Sequence, residues 1–557
     1  MVAEVAFVDG TVVTAEPAAW RSDALAVAAG RVVAVGAEDV RAVVGPATEV
    51  VDLGGRTLLP GINDSHAHVG AFGATRPPLA VDVGYPSVRS IADVRGRVHE
   101  AAARRPAGEW ILGTGWDLGY LEECVADARR QPGRADLDAV SPDHPVLLRD
   151  FSGHAIWVNS RALELAGVTR ETPSPDGGEV VRDAATGEPT GLLRELAASA
   201  LVQSHAPSPT REQKRQALLA AVDELHRLGV TSVTEPTLGP GSGGPFAMSD
   251  VECLELYAEL AEEGALRMRV NALLLFGEGP TEVERGLREF VPPADVPGWL
   301  RIGGVKVFAD GIPPLKTAWM HQEYVGGGFG SLVVPGADDE ARSRELAEMI
   351  RVAHGAGYQV GVHVIGDAAI DATVDAFAAA VAAHPRPDPR HYLIHSDFAR
   401  PATLARMASL GIGMNAQPQI KTTISDLMDR MLGEERSAYQ WPLRTALDAG
   451  VALSCSSDMP VVYPDWRVGV ANAVLRESKA TGRVSGPEQR ITVEEALTAY
   501  TRTPARQDFA EDRKGTLAVG MAADCCVVDG DLLGADPREI PELPVVLTMV
   551  DGRVVFG

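Results

Sequence analysis

Cysteine is scarce in this 557-residue chain, with only Cys124, Cys253, Cys455, Cys525 and Cys526. The number is odd, the spacing is wide and one pair is adjacent. A disulfide scaffold is therefore excluded, and a reducing, cytoplasmic setting is expected. No apolar run approaches the roughly 18–20 residues needed to cross a bilayer. The start, MVAEVAFVDG, lacks the basic and apolar regions of a signal peptide, so a secreted protein is not expected. Basic residues are also in deficit: 51 Lys and Arg stand against 76 Asp and Glu, for a formal net charge of -25. Nucleic acid and anionic lipid are poor partners for such a chain. What remains is a soluble globular composition, 45% hydrophobic and 23% charged. The length suits one large domain with an accessory part, or two to three ordinary domains.

The two ends carry hairpin signals: VAFVDGTVV and LAVAAGRVVAVG near the start, TMVDGRVVFG at the finish. Each has β-branched runs around a turn containing Gly. Residues 1–56 and 515–557 are expected to form one composite small β domain. Between them, over 57–514, short apolar strands alternate with helical patterns. The strand candidates are TLLPGIN, 229–235, 267–275, 301–308, 358–365, 391–396, 411–416 and 450–457. Eight strands in βα alternation point to a (β/α)8 TIM-type barrel. An open doubly wound sheet is the alternative, but the Gly-rich nucleotide fingerprint is missing after the first strand. Residues 72–205 are too long for a simple crossover and hold strand signals of their own, EWILGTGW and HPVLLRDFSGHAIWVN. They are expected to form an inserted subdomain roofing one end of the barrel. The segments 325–331 and the stretch after Gln417 read as loops.

Only 13 histidines are present, and two of them stand one residue apart in LLPGINDSHAHVG. On an extended strand, i and i+2 face the same side, so His66 and His68 can converge on one point suited to a metal ion. In a barrel, functional groups gather at the C-terminal ends of strands. Other strand ends offer Lys306 between Val305 and Val307, then His363, His395 and Asp458. A lysine flanked by valines in a buried strand is costly unless its charge is removed or paired. Each residue also has a plainer reading. Lys306 could sit on an edge strand, His363 and His395 in the core, and Asp458 at a helix N-cap.

The set His-x-His, Lys, His, His, Asp in this order resembles the amidohydrolase superfamily. Within it, the chain is similar to the branch of YtcJ-type and N-substituted formamide deformylase-like proteins. The phrases LLPGINDSHAHV, GHAIWVNSRAL, GEPTGLLRE, KVFADG, HVIGDAAID, RHYLIHS, SSDMPV, TRTPAR and AADCCVVDGDLL carry the likeness. The resemblance covers about residues 5–555. It implies a metal-dependent barrel with the insertion after strand 1 and a small β-sandwich built from both termini. It implies two divalent ions, with zinc expected and manganese, iron, cobalt or nickel compatible. His66, His68 and Asp458 would hold one ion and His363 and His395 the other, with a CO2-derived carbamate on Lys306 as the bridge. A shared hydroxide would then attack a non-peptidic amide of a small molecule, with Asp458 moving the proton. A lactone, cyclic imide or amidine substrate, or a non-enzymatic binding protein of the same fold, are the alternatives. The resemblance also suggests that His154 faces the substrate, against the reading of a histidine hydrogen-bonded in a turn. Trp116 and Asp310 are further substrate-binding candidates, against the readings of subdomain core and of a turn or ligand-orienting Asp. No macromolecular partner is expected beyond a homodimer, which is left open.

Overall fold

The computed structural model describes residues 2–557 apart from 86, 128, 152, 176–177 and 243–247. The chain divides into two compact units. One comprises 1–69, 222–242 and 249–557; the other comprises 70–221 with a short later piece ending at Met248.

The first unit contains an eight-stranded sheet whose strands follow one another in sequence order: β1 (Ile62–Asp64), β2 (Val230–Leu238), β3 (Arg269–Leu274), β4 (Leu300–Phe308), β5 (Gln359–Val364), β6 (Tyr392–His395), β7 (Gly413–Ala416) and β8 (Leu453–Cys455). Every neighbouring pair is parallel. Sequential order with no switch point is the barrel arrangement, and it rules out the doubly wound alternative. Side chains draw the two ends of the sheet together. Ser65 Oγ donates to the Cys455 carbonyl at 2.8 Å, and Asn415 Nδ2 donates to Ser65 Oγ at 2.7 Å.

Helices connect the strands where caps and prolines start them. Asp250 and Asp338 accept from Cys253 N and Ala341 N at the heads of Val251–Glu262 and Asp339–Gly355. Pro280, Pro401 and Pro418 stand at first-turn positions, where a missing N–H costs nothing. The stretch after Gln417, expected as a loop, is one of these helices, Pro418–Leu432.

The termini build two further sheets in the same unit. Val5–Val8, Leu25–Ala28, Arg31–Val35 and Glu49–Asp52 form one, and Cys525–Val528, Val545–Val550 and Arg553–Phe556 join Thr57–Pro60, Thr11–Val13 and Arg21–Ser22 in the other. Phe7, Leu25 and Val27 from the first pack with Val12, Leu58, Cys525 and Met549 from the second in one core.

One expectation is corrected here. TLLPGIN is not a single barrel strand. Thr57–Pro60 pairs with Cys525–Val528 in the terminal sheet, and only Ile62–Asp64 enters the barrel. Gly61 is the crossing point, where a Cβ would stand 2.2 Å from Thr231 Oγ1 on β2.

The second unit has its own six-stranded sheet, in the order Glu179–Arg182, Pro189–Arg194, Ala155–Val158, Val146–Asp150, Ile111–Trp116 and Val81–Asp82. Its apolar core includes Val98, Ile111, Leu148 and Trp157. No described helix is long and apolar enough to cross a membrane.

Candidate metal centre

Beyond β1 the chain stays extended and is held from both sides. Ala67 N donates to Thr234 O on β2 at 3.0 Å, while Asp458 N donates to His66 O and His68 N to Met459 O, each at 2.9 Å. The i, i+2 parity is therefore kept past the end of the strand. His66 and His68 lie with ring centroids 5.1 Å apart, and their Nε2 atoms stand 3.2 and 3.4 Å from Asp458 Oδ1. His66 is buried, and the His68 side chain is 24% exposed.

Asp458 is delivered by the loop after β8, in the left-handed backbone region at φ 58°. Such strain is held only where surroundings enforce it. Here Asp64 supplies the hold, accepting from Ser457 N at 3.1 Å and Ser457 Oγ at 2.5 Å. Burial pushes the Asp64 carboxyl up to about 6. Burial pushes Asp458 up as well, but its contacts with His66 and His68 outweigh this and hold it well below the usual carboxylate range.

His395 closes β6, also at positive φ (74°). Its Nδ1 lies 2.9 Å from Gln417 Oε1. The Gln417 amide donates to Asn415 Oδ1 and Ser456 Oγ, so its oxygen must be the acceptor. His395 therefore carries its proton on Nδ1, and the Nε2 lone pair is free for a ligand. Donor atoms of His66, His395 and Asp458 all lie within 4.8 Å of one another. His363, on β5, places its ring 4.5 Å from that of His395.

Lys306 lies on β4 between Val305 and Val307 and is 1% exposed. Among the described residues it makes no ion pair, and its Nζ stands 4.8 Å over the Phe308 ring. Burial lowers its pKa to about 7, with Asp458 opposing. Burial likewise lowers His395 to about 4 and takes His66 and His363 well below 6.5, assisted by Lys306 and, at His363, by His395.

This donor set fits a metal. The His66, His363 and His395 imidazoles are held toward the neutral form and Asp458 toward the ionised form, and the Lys306 amine is lowered to about 7, which is the state metal binding requires. His66 Nδ1 is buried without a hydrogen-bond partner among the described residues.

Three candidates remain. Asp310 is 2% exposed, and its oxygens accept from Trp319, Ile365 and Gly366 N, each at 2.9 Å. It ties the loop after β4 to the loop after β5. Trp116 belongs to the second unit, 2% exposed, edge-on to Trp157 and donating from Nε1 to Leu148 O at 2.9 Å. It packs in the apolar core of that unit. His154, in the same unit, is half-buried, with Nδ1 2.9 Å from Glu195 Oε2. Sequence reasoning missed Gln417, Asn415, Asp64 and Ser457. It also missed Glu235, which accepts from Val69 N at 2.7 Å, and Thr237, whose Oγ1 lies 3.3 Å from His68 Nδ1. Glu235, Thr237 and Gln417 sit at or just past the C-terminal ends of β2 and β7, strands from which no candidate had been drawn.

Comparison with known proteins gives concordant relatives. A sequence profile described as the amidohydrolase family matches residues 49–556. N-substituted formamide deformylase from Arthrobacter pascens is 31% identical over 536 residues, covering 95% of this chain and 94% of that protein. YtcJ from Bacillus subtilis (strain 168) is 30% identical over 516 residues, covering 92% and 91%. The crystal structure of an uncharacterized metal-dependent hydrolase from Pyrococcus furiosus is similar at a TM-score of 0.71 and 28% identity, covering 96% of this chain and 99% of that one.

Proposed function

The chain belongs to the amidohydrolase family, and from that premise we propose that it hydrolyses a non-peptidic C–N bond of a small amide with the aid of two divalent ions, zinc first among them. The observation that carries this reading is the gathering of the His66, His395 and Asp458 donor atoms within 4.8 Å. His66, His68 and Asp458 would hold one ion, His363 and His395 the second, and Lys306, carboxylated by CO2, would bridge them. When bound, the ions supply Lewis acidity to a carbonyl and lower the pKa of water towards neutrality.

The protein's own groups do the rest. Burial keeps the imidazoles unprotonated, so their lone pairs meet no competing proton. Gln417 fixes the His395 tautomer. Asp458 Oδ1 takes both histidine contacts, and Oδ2 has no hydrogen-bond partner among the described residues. Oδ2 is the atom that would accept a proton from the attacking water and return it to the leaving nitrogen.

The Arthrobacter relative is named for N-substituted formamides, so these are the first substrates to try. The test is turnover of formamides, other amides, lactones, cyclic imides and amidines by metal-loaded protein. Amide turnover is expected. Turnover confined to lactones would remove the C–N assignment, and a protein that neither binds metal nor turns over any of these would be a binding member of the fold.

A further inference from the structure

A second charged cluster lies at the other end of the barrel from the histidines. Arg301 stands near the start of β4, five residues before Lys306. At about 3.3 Å per residue the two backbone positions are roughly 16 Å apart. A cavity of about 90 Å³ opens beside Arg301, and its walls include Arg269, Trp299, Phe509, Arg513 and Lys514. That is room for several water-sized groups.

Four cations face this one space in a chain of net charge -25. Two are matched. Arg269 pairs with Asp524 at 2.5 Å and Asp551 at 3.2 Å, and Lys514 pairs with Asp508 at 2.8 Å. The Asp508 carboxylate has no capacity left for a further partner. Its Oδ1 accepts from Thr234 and Asn271, and its Oδ2 from Asn63 and Lys514. Arg301 reaches only the main-chain carbonyl of Asp508, at 3.4 Å, and Asn271 Oδ1, at 3.2 Å. Asp295, also near Arg301, accepts from Ile302 N through Oδ1 at 2.8 Å. Neither Arg301 nor Arg513 makes an ion pair among the described residues.

The shape of the cavity follows from its neighbours. The Phe509 ring has the Arg301 guanidinium 4.9 Å and the Arg390 guanidinium 4.3 Å from its centroid. Arg390 is itself paired with Asp388 and Glu511 at 2.7 Å each. Gly298 also lines the cavity, and a Cβ there would stand 3.5 Å from a terminal nitrogen of both Arg269 and Arg513. Like charges brought together and partly removed from water are costly without a counter-charge. A guanidinium fork is the group best shaped to meet an oxyanion.

We propose that this cavity binds a small oxyanion, the phosphate or carboxylate group of an effector, between Arg301 and Arg513. The test titrates metal-loaded wild-type protein, Arg513→Gln and Arg301→Gln with inorganic phosphate and with acetate, at an ionic strength held constant with chloride. The wild type should bind one oxyanion that both variants bind at least about tenfold more weakly. Metal content and thermal midpoint without oxyanion should be unchanged in Arg513→Gln. A preference for phosphate or for acetate identifies the source. Should Arg301→Gln not fold, Arg513→Gln decides alone, its side chain being only half-buried. The proposal is overturned if phosphate and acetate bind no better than chloride, or if Arg513→Gln binds both as the wild type does.

Discussion

Gln417 has no charge and performs no chemistry, yet it decides which nitrogen of His395 faces the cluster. Gln417→Leu should fold and lower metal affinity by about 10–100-fold in a chelator competition, the usual cost of losing the partner of a ligating histidine. An unchanged affinity would show that His395 needs no such partner. Asp458→Asn should keep much of the metal while turnover falls by about 10²–10⁴, measured on whichever amide the wild type hydrolyses best. The gathering of His66, His68, His363, His395 and Asp458 was legible in the sequence, because they stand at or just past the ends of barrel strands. Their supports were not. Asp64, Asn415, Gln417 and Ser457 are of ordinary polar residue types, and their roles appear only when β7, β8 and β1 are set side by side. Asp310 and Trp116 stood out for the opposite reason. A conspicuous acid and a conspicuous indole are used up by main-chain partners.

At the scale of elements, the helix Pro418–Leu432 carried a legible pattern that was passed over. Ile424, Leu427, Met428, Met431 and Leu432 stand at helical spacing and pack in one apolar cluster, and Lys421 and Ser425 are buried on the same helix. Lys421 Nζ donates to Ser437 O at 2.6 Å and Ser485 Oγ at 3.1 Å, and burial, aided by Arg476, lowers its pKa to about 7. The unfolded chain then holds more protons than the folded one between about pH 7 and the ordinary lysine value. Stability must rise with pH across that window, by at most about 1.4 kcal/mol per unit from this residue. Lys421→Met should remove that increment in denaturant titrations at pH 7 and pH 9, and parallel slopes for the two proteins would refute the assignment. The short β1 was misplaced by sequence because TLLPGIN reads as one apolar run, and nothing local marks the change of sheet at Gly61. Gly61→Ala should cost about 1–3 kcal/mol in the same assay, since the new methyl group must displace Thr231.

For the molecule as a whole, the order of the eight strands was readable because βα alternation and strand-length apolar runs are local signals. The closure of the sheet was not, since it depends on contacts between residues almost 400 positions apart, such as Ser457 with Asp64. The terminal sheets were announced by hairpin turns at both ends, although Thr57–Pro60 joins them from beyond the expected boundary. The account as a whole depends on distant segments delivering neutral nitrogens and one carboxylate to a common point. Anomalous diffraction from crystals of metal-loaded protein, collected at the absorption edge of the bound element, tests this most directly. Two peaks are predicted, one within bonding distance of His66, His68 and Asp458 and the other of His363 and His395, with modified Lys306 density reaching both. Peaks elsewhere on the chain, or these side chains turned away from any peak, would contradict it.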